Sequence, residues 1–177
     1  MYILDLTQNS LRAGATWVKI LIDEREQDDL LVVEIEDNGK GMSGAELERV
    51  LDPFYTTRTT RRVGLGLPLF AAMVNRCAGE LKITSTPGEG TKISASMALK
   101  HWDKPPLGDM AGSFVTLIAG NPEVDFVYQH RRGTKEYLLD TKQIKAVLED
   151  VPISNPTVLD YIKKEIEEGL FRIGSWN

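Results

Sequence analysis

Apolar positions at the start of the chain recur at helical spacing: Ile3, Leu4, Leu6, Leu11 and Ala13, with Gly14 at a natural stop. Residues 2–13 are therefore predicted to form an amphipathic helix. The pattern then changes period. Val18, Ile20 and Ile22 alternate with Trp17, Lys19, Leu21 and Asp23, the signature of a half-buried strand. A charged turn over residues 24–29 leads to a second strand over 30–36, and the pair reads as an antiparallel hairpin. Asp37-Asn38-Gly39-Lys40-Gly41-Met42 is a glycine-rich loop. Ser43, with Glu46 three residues on, makes a capping box for a helix through Leu51, and Pro53 ends it.

Residues 55–64 are polar, carry no apolar period and read as a mobile loop. Gly64-Leu65-Gly66-Leu67 opens a helix whose inward positions are expected at Leu69, Phe70, Met73, Val74 and Cys77. Pro68 fits its first turn, where no intrahelical donor is needed. Two strands follow, over 80–85 and 91–99, joined by a Pro87-Gly88-Glu89-Gly90 turn. The pattern implies an α+β, two-layer α/β sandwich with a mixed, mostly antiparallel sheet and helices on one face.

The proline- and glycine-bearing stretch 100–112 reads as a linker or surface excursion. It divides residues 1–99 from a small α/β C-terminal extension at 113–177. There, Phe114–Ala119 reads as a strand, and Phe126–Arg131 with Glu136–Asp140 as a hairpin about Arg132-Gly133-Thr134. Thr141 is the expected cap of a helix through Glu149. Asn155-Pro156 opens a last helix through Glu168, with Val158, Ile162 and Ile166 on one face.

Composition narrows the function. The 177 residues are 42% hydrophobic and carry a net charge of −5, which argues against a broad nucleic-acid surface. One cysteine and two histidines argue against a structural zinc site. No apolar run reaches the length of a membrane span, and no signal peptide is visible, so a soluble cytoplasmic protein is expected.

Four motifs carry candidate chemistry. Asp5 and Asn9 are one helical turn apart and share a face, where an Asn oxygen can ligate Mg²⁺ beside phosphate oxygens. Asp37, followed by Gly39 and Gly41, offers a carboxylate to a base amino group, and the glycines allow close backbone approach. Thr56, Thr57 and Arg58, followed by Gly64, Leu65 and Gly66 at a helix start, can meet phosphates. Gly88-Glu89-Gly90-Thr91 turns into the last strand of this half, where Thr91 can bond the base or its neighbouring water. Each motif alone is common: a solvated helix face, an Asn-Gly turn, a loop-to-helix entry, a hairpin turn. The glycines form neither a Walker A loop nor a Rossmann fingerprint.

Their order over residues 1–99 closely resembles the GHKL (Bergerat-fold) ATPase superfamily. Asp52-Pro53-Phe54-Tyr55-Thr56-Thr57 and Gly64-Leu65-Gly66-Leu67-Pro68-Leu69 look most like the histidine-kinase catalytic domain. The resemblance implies ATP and Mg²⁺ as ligands. It makes Asn9 the Mg²⁺ ligand and Asp37 the partner of the adenine amino group, with Gly39 and Gly41 shaping the base pocket. Gly64, Leu65 and Gly66 would meet phosphates, Thr57 and Arg58 would be secondary phosphate contacts, and Thr91 would support Asp37.

Three departures matter. No dimerisation helix pair with a phosphoacceptor histidine, as a complete histidine kinase has, precedes the first motif here, and the chain's two histidines are His101 and His130. Phosphotransfer would then need a protein partner, such as a phosphoacceptor, a response regulator or a redox-complex protein. Asp5 stands where gyrase-like and mismatch-repair relatives carry a water-activating Glu, and Gln8–Ala15 looks like that branch. The chain also begins at the first motif, which reads as a trimmed or mis-assigned start. The whole arrangement resembles small stand-alone ATP-binding proteins encoded near iron-hydrogenase subunits. The alternatives to a trans-acting signalling kinase are a slow ATPase switch in complex or cofactor assembly, an anti-sigma-type serine kinase and a nucleotide sensor.

Overall fold

The structure, a computed structural model, describes residues 2–51 and 66–175. In chain order it contains α1 (Tyr2–Arg12), β1 (Trp17–Arg25), a 3-10 turn (Glu26–Asp28), β2 (Leu30–Asp37), α2 (Gly44–Arg49) and α3 (Gly66–Arg76). β3 (Glu80–Thr86), β4 (Gly90–Ala98), α4 (Met110–Gly120), β5 (Asp125–Arg132), β6 (Lys135–Asp140), α5 (Thr141–Leu148) and α6 (Pro156–Ile173) follow.

The six strands form one sheet in the order β3-β4-β2-β1-β5-β6. β1 and β5 run parallel, and the other neighbouring pairs are antiparallel. The register stacks one apolar row across four strands: Ile93 faces Ile35, Ile35 faces Ile20, and Ile20 faces Tyr128. Strand side chains alternate between faces, so this row and its i±2 neighbours share one face. Leu6 of α1, Phe70 and Val74 of α3, Phe114 of α4 and Ile166 of α6 are buried in the same core. Burying each such side chain contributes roughly 1.5–3 kcal/mol. The opposite face is laced with ion pairs, Lys92–Glu34 at 3.0 Å and Arg131–Glu136 at 2.6 Å. That is the one-sided burial expected of a largely antiparallel sheet. The expected α+β sandwich, with a mixed sheet and helices on one face, is therefore the fold observed.

Local chemistry explains several boundaries. Ser43 and Glu46 form the predicted capping box, with Ser43 N donating to Glu46 Oε2 at 2.8 Å. Those bonds from Ser43, led by its backbone N–H, hold the Glu46 carboxyl below its ordinary range. Asn155 caps α6 through a 2.9 Å bond from Thr157 N, and Pro156 occupies its first turn.

Three expectations are corrected. Phe114–Ala119 is helix, not strand: it lies inside α4, where Met110, Ala111, Phe114, Leu117 and Ile118 are buried at helical spacing and Asp109 caps the start. The same helix takes up the last residues of the stretch expected to be a linker. Leu69 points outward at 51% exposure, and Leu67 takes an inward place instead. Asp140, not Thr141, caps α5, through a bond from Lys142 N. The buried Thr141 hydroxyl instead accepts from Phe126 N at 2.8 Å.

The C-terminal strands join the same sheet directly, β5 lying alongside β1 with Phe126 opposite Val18. Phe114 stacks on Tyr128 with ring centroids 4.4 Å apart, so α4 is seated on β5. Gly169 of α6 makes room for the Tyr137 ring, since a Cβ there would lie 2.1 Å from Tyr137 Cδ2. No helix among the described residues is long and apolar enough to cross a membrane.

Candidate functional site

β2 ends at Asp37, which points to the helix-covered face and is 8% exposed. Its carboxylate is held from two sides. Oδ2 accepts from the Ser10 hydroxyl of α1 at 2.6 Å, and Oδ1 accepts from Gly39 N at 2.9 Å. Each oxygen keeps a lone pair for another donor.

The loop after Asp37 is pinned on both sides. Asn38 Oδ1 accepts from Thr16 N and Trp17 N, both at 2.9 Å, while its Nδ2 donates to Thr16 Oγ1 at 2.9 Å. Lys40 N donates to Ala13 O at 2.9 Å, and Gly88 N donates to Lys40 O at 2.8 Å. The loop is thus clamped between the end of α1 and the β3–β4 turn.

Close approach makes these glycines necessary. Gly41 has φ +65°, and a Cβ there would sit 2.0 Å from Thr86 O. Gly90 has φ +120°, and a Cβ there would sit 1.9 Å from Asp37 O. Gly39 packs against Ala13, with 2.9 Å to the Ala13 Cβ.

Thr91 stands opposite Asp37 in the β2–β4 register. Its hydroxyl lies 2.8 Å from Ser85 Oγ. Ser85 Oγ accepts from Met42 N at 2.8 Å and donates to Gly90 O at 2.9 Å. Ser85 therefore fastens the far end of the glycine loop to the turn that carries Thr91.

On α1, Asp5 and Asn9 are exposed on one face, and Arg12 Nη1 reaches Asn9 Oδ1 at 3.5 Å. A Cβ on Gly66, the first residue of α3, would lie 3.8 Å from Asp5 Cβ. The start of α3 therefore abuts the polar face of α1, and helix N-termini offer unpaired N–H groups to anions.

The structure thus forms two groups: Asp5, Asn9 and Gly66, and Asp37, Gly39, Gly41 and Thr91. Ser10 joins them, being next to Asn9 in α1 and bonded to Asp37. Asp52, Phe54, Thr56, Thr57, Arg58, Gly64 and Leu65 lie outside the described residues. Ser10, Asn38 and Ser85 were not among the expected site residues. Their partners lie 27, 22 and 43 residues away, so no local pattern marks them.

Among the described residues no three His, Cys, Asp or Glu side chains are grouped to hold a metal ion. A cation at α1 would have Asn9 and Asp5 as neighbours and take its other oxygens from ligand and water. Cavities of about 370 and 380 Å³ lie elsewhere, around Leu107–Met110.

The family model described as "Histidine kinase-, DNA gyrase B-, and HSP90-like ATPase" matches residues 2–101. A putative sensor protein of Shewanella frigidimarina is 37% identical over 103 residues, covering 57% of this chain and 16% of that protein. Sensor histidine kinase YxdK of Bacillus subtilis is 35% identical over 77 residues, covering 41% of this chain and 24% of its own length. The chain thus spans less than a quarter of these curated relatives. In fold, the chain is similar to the N-terminal domain of a DNA repair protein. The TM-score is 0.56 at 16% identity, over 84% of this chain and 56% of that one.

Proposed function

Because the chain belongs to the histidine kinase-, DNA gyrase B- and HSP90-like ATPase family, we propose that it binds Mg-ATP and acts in signalling on a protein partner. The observation that carries this is the Asp37 carboxylate, buried at the loop floor and oriented by Ser10 and Gly39. With a lone pair free on each oxygen, it accepts a hydrogen bond from the adenine amino group. Gly39 and Gly41 let the loop pack closely on Ala13 and Thr86 and so shape the base pocket, and Thr91 supports the base beside Asp37.

Asn9 is the Mg²⁺ ligand in this reading. Its exposed amide oxygen beside Asp5 suits a hard cation that keeps several waters and phosphate oxygens. When bound, Mg²⁺ neutralises charge on the phosphates. The reading assigns the backbone N–H groups of Gly64, Leu65 and Gly66 to those phosphates, with Thr57 and Arg58 as secondary contacts.

Chemistry after binding follows from the histidines. His130 is 1% exposed with both ring nitrogens bonded, and His101 Nδ1 accepts from Asp103 N at 3.2 Å. His130 is thereby closed to phosphorylation, and in this reading the phosphoryl group passes to a residue of a partner protein. The similarity to sensor kinases favours a phosphoacceptor or response-regulator partner in the cytoplasm. A second reading rests on Asp5, an exposed residue of α1 whose Cβ lies beside the start of α3 and whose carboxylate can position water for slow hydrolysis.

Radiolabelled ATP separates the two. Label retained on a partner supports transfer. Free phosphate from the protein alone, lost in Asp5→Asn, supports hydrolysis. Neither product, with ATP still bound, overturns both readings and leaves a sensor.

A further inference from the structure

Ile83, Ile93, Ile35 and Ile20 face one another across β3, β4, β2 and β1. Two residues along, the same register brings Ser85 opposite Thr91 and Thr91 opposite Asp37. Side chains two apart share a face of the sheet, so a polar row continues an apolar one on the side that carries the core. Asp37 is buried, and Ser85 and Thr91 are half-buried.

The protons of this row can be assigned by counting. Ser85 Oγ has three short contacts: Met42 N at 2.8 Å, Gly90 O at 2.9 Å and Thr91 Oγ1 at 2.8 Å. The amide must donate and the carbonyl must accept, so the single Ser85 proton goes to Gly90 O. The third contact then takes the Thr91 proton. Were the Ser85 proton turned to Thr91 instead, the Ser85 and Gly90 oxygens would face each other at 2.9 Å with no proton between them. Thr91 therefore donates to Ser85 and keeps only lone pairs for other partners. Its hydroxyl makes no other bond among the described residues. Asp37 is likewise supplied by Ser10 and Gly39. Every donor in the row is engaged, and what the row has left to offer is acceptors.

We propose that Ser85 is a positioning residue that sets the specificity of the base site: by holding the Thr91 proton it leaves Thr91 an acceptor, so the row admits a purine with a 6-amino group and rejects one with a 6-oxo group. This rests on the placement of the base at Asp37. A 6-amino group brings two N–H donors to the acceptors of the row, whereas a 6-oxo oxygen brings a further acceptor. Ser85 does not touch the base and acts through Thr91. Without Ser85, the Thr91 hydroxyl is free to turn its proton toward an oxo oxygen, and the rejection weakens.

Calorimetric titration of the full chain with Mg-ATP and with Mg-inosine triphosphate, which has a 6-oxo group, tests this. The proteins are the natural one, Ser85→Ala, Thr91→Val and the double variant. The natural protein should prefer ATP. Ser85→Ala should narrow that preference at least about fivefold, because an opposed acceptor is replaced by a donor. In the Thr91→Val background no hydroxyl remains to turn, so adding Ser85→Ala should leave the preference the same within about twofold. A loop that merely loosens would weaken both nucleotides together and in both backgrounds, and that result would overturn the role of Ser85. If Ser85→Ala does not fold, Thr91→Val decides alone. Removing a lone pair opposed to the oxo oxygen should narrow the preference, and an unchanged or wider preference would overturn the inference. Equal affinity of the natural protein for the two nucleotides would overturn it while leaving Mg-ATP binding intact. Binding of neither would overturn both.

Discussion

Ser10 on α1 donates its hydroxyl proton to Asp37 Oδ2 across 2.6 Å, so the helix expected to carry the metal ligand also aims the carboxylate expected to read the base. Removing the hydroxyl leaves a buried carboxylate oxygen one donor short. Ser10→Ala should cost about 1–3 kcal/mol of stability. It should also weaken ATP binding at least about fivefold. Calorimetric titration with Mg-ATP, beside a denaturant melt, measures both. A stability loss with unchanged affinity would mean that Ser10 serves packing alone.

The glycine loop makes a steric prediction. Gly41→Ala puts a Cβ 2.0 Å from Thr86 O at φ +65°, whereas Gly88→Ala, at φ +81°, meets nothing within 4 Å. Both carry left-handed strain of about 1–2 kcal/mol. Only Gly41→Ala must also push the β3–β4 turn away from the loop. Thermal unfolding should therefore rank Gly41→Ala well below Gly88→Ala. Equal midpoints would show that the turn yields freely.

Gly169 carries a similar argument for the C-terminal helix. Gly169→Ala drives a Cβ to 2.1 Å from the Tyr137 ring and should destabilise the chain by about 1–3 kcal/mol, despite the better helix propensity of Ala. Tyr137→Leu, which removes the ring, should recover part of that loss in the double variant. Denaturant midpoints of the four proteins decide the matter.

Much of this architecture is legible in the sequence because its elements obey one period at a time. Val18, Ile20 and Ile22 alternate, Ser43 and Glu46 mark a cap, and Asn155-Pro156 marks a helix start. Phe114–Ala119 is misleading because Phe-Val-Thr-Leu-Ile-Ala has strand-like composition. Its helical period appears only when Met110 and Ala111 are included, and these sit in a stretch that Pro105 and Pro106 make look like a linker. The motif residues Asp5, Asn9, Asp37 and Gly41 can be picked out locally. The residues that hold them, Ser10, Asn38 and Ser85, are defined by partners across the fold and carry no local signal. The cluster in which His130 Nε2 and the Ser175 hydroxyl meet the partly buried Glu24 carboxylate is invisible for the same reason.

That cluster also sets an acid limit. Burial pushes the Glu24 carboxyl up, but hydrogen bonds from His130 and Ser175, together with nearby positive charge that includes Arg132, outweigh it and hold the group below its ordinary value of 4.5. A depressed carboxyl stabilises the fold above its unfolded value and loses that contribution as pH falls through the lower folded value. Stability should therefore decline on acidification below about pH 5. Glu24→Gln should start lower at pH 7 and decline less steeply over that window. Thermal melts at half-unit steps from pH 3 to 7 measure this. Parallel curves for the two proteins would exclude Glu24 as a source of the acid dependence.

The most direct measurement for the nucleotide site is a calorimetric titration of Mg-ATP into the natural protein and into Asp37→Asn, with thermal unfolding of both recorded alongside. Asn keeps the size of the side chain and can still accept from Ser10, but it replaces one carboxylate oxygen with a donor. The predicted result is binding by the natural protein and at least about tenfold weaker binding by Asp37→Asn, with both folded at the titration temperature. Equal affinity in two folded proteins would contradict the placement of the base at Asp37.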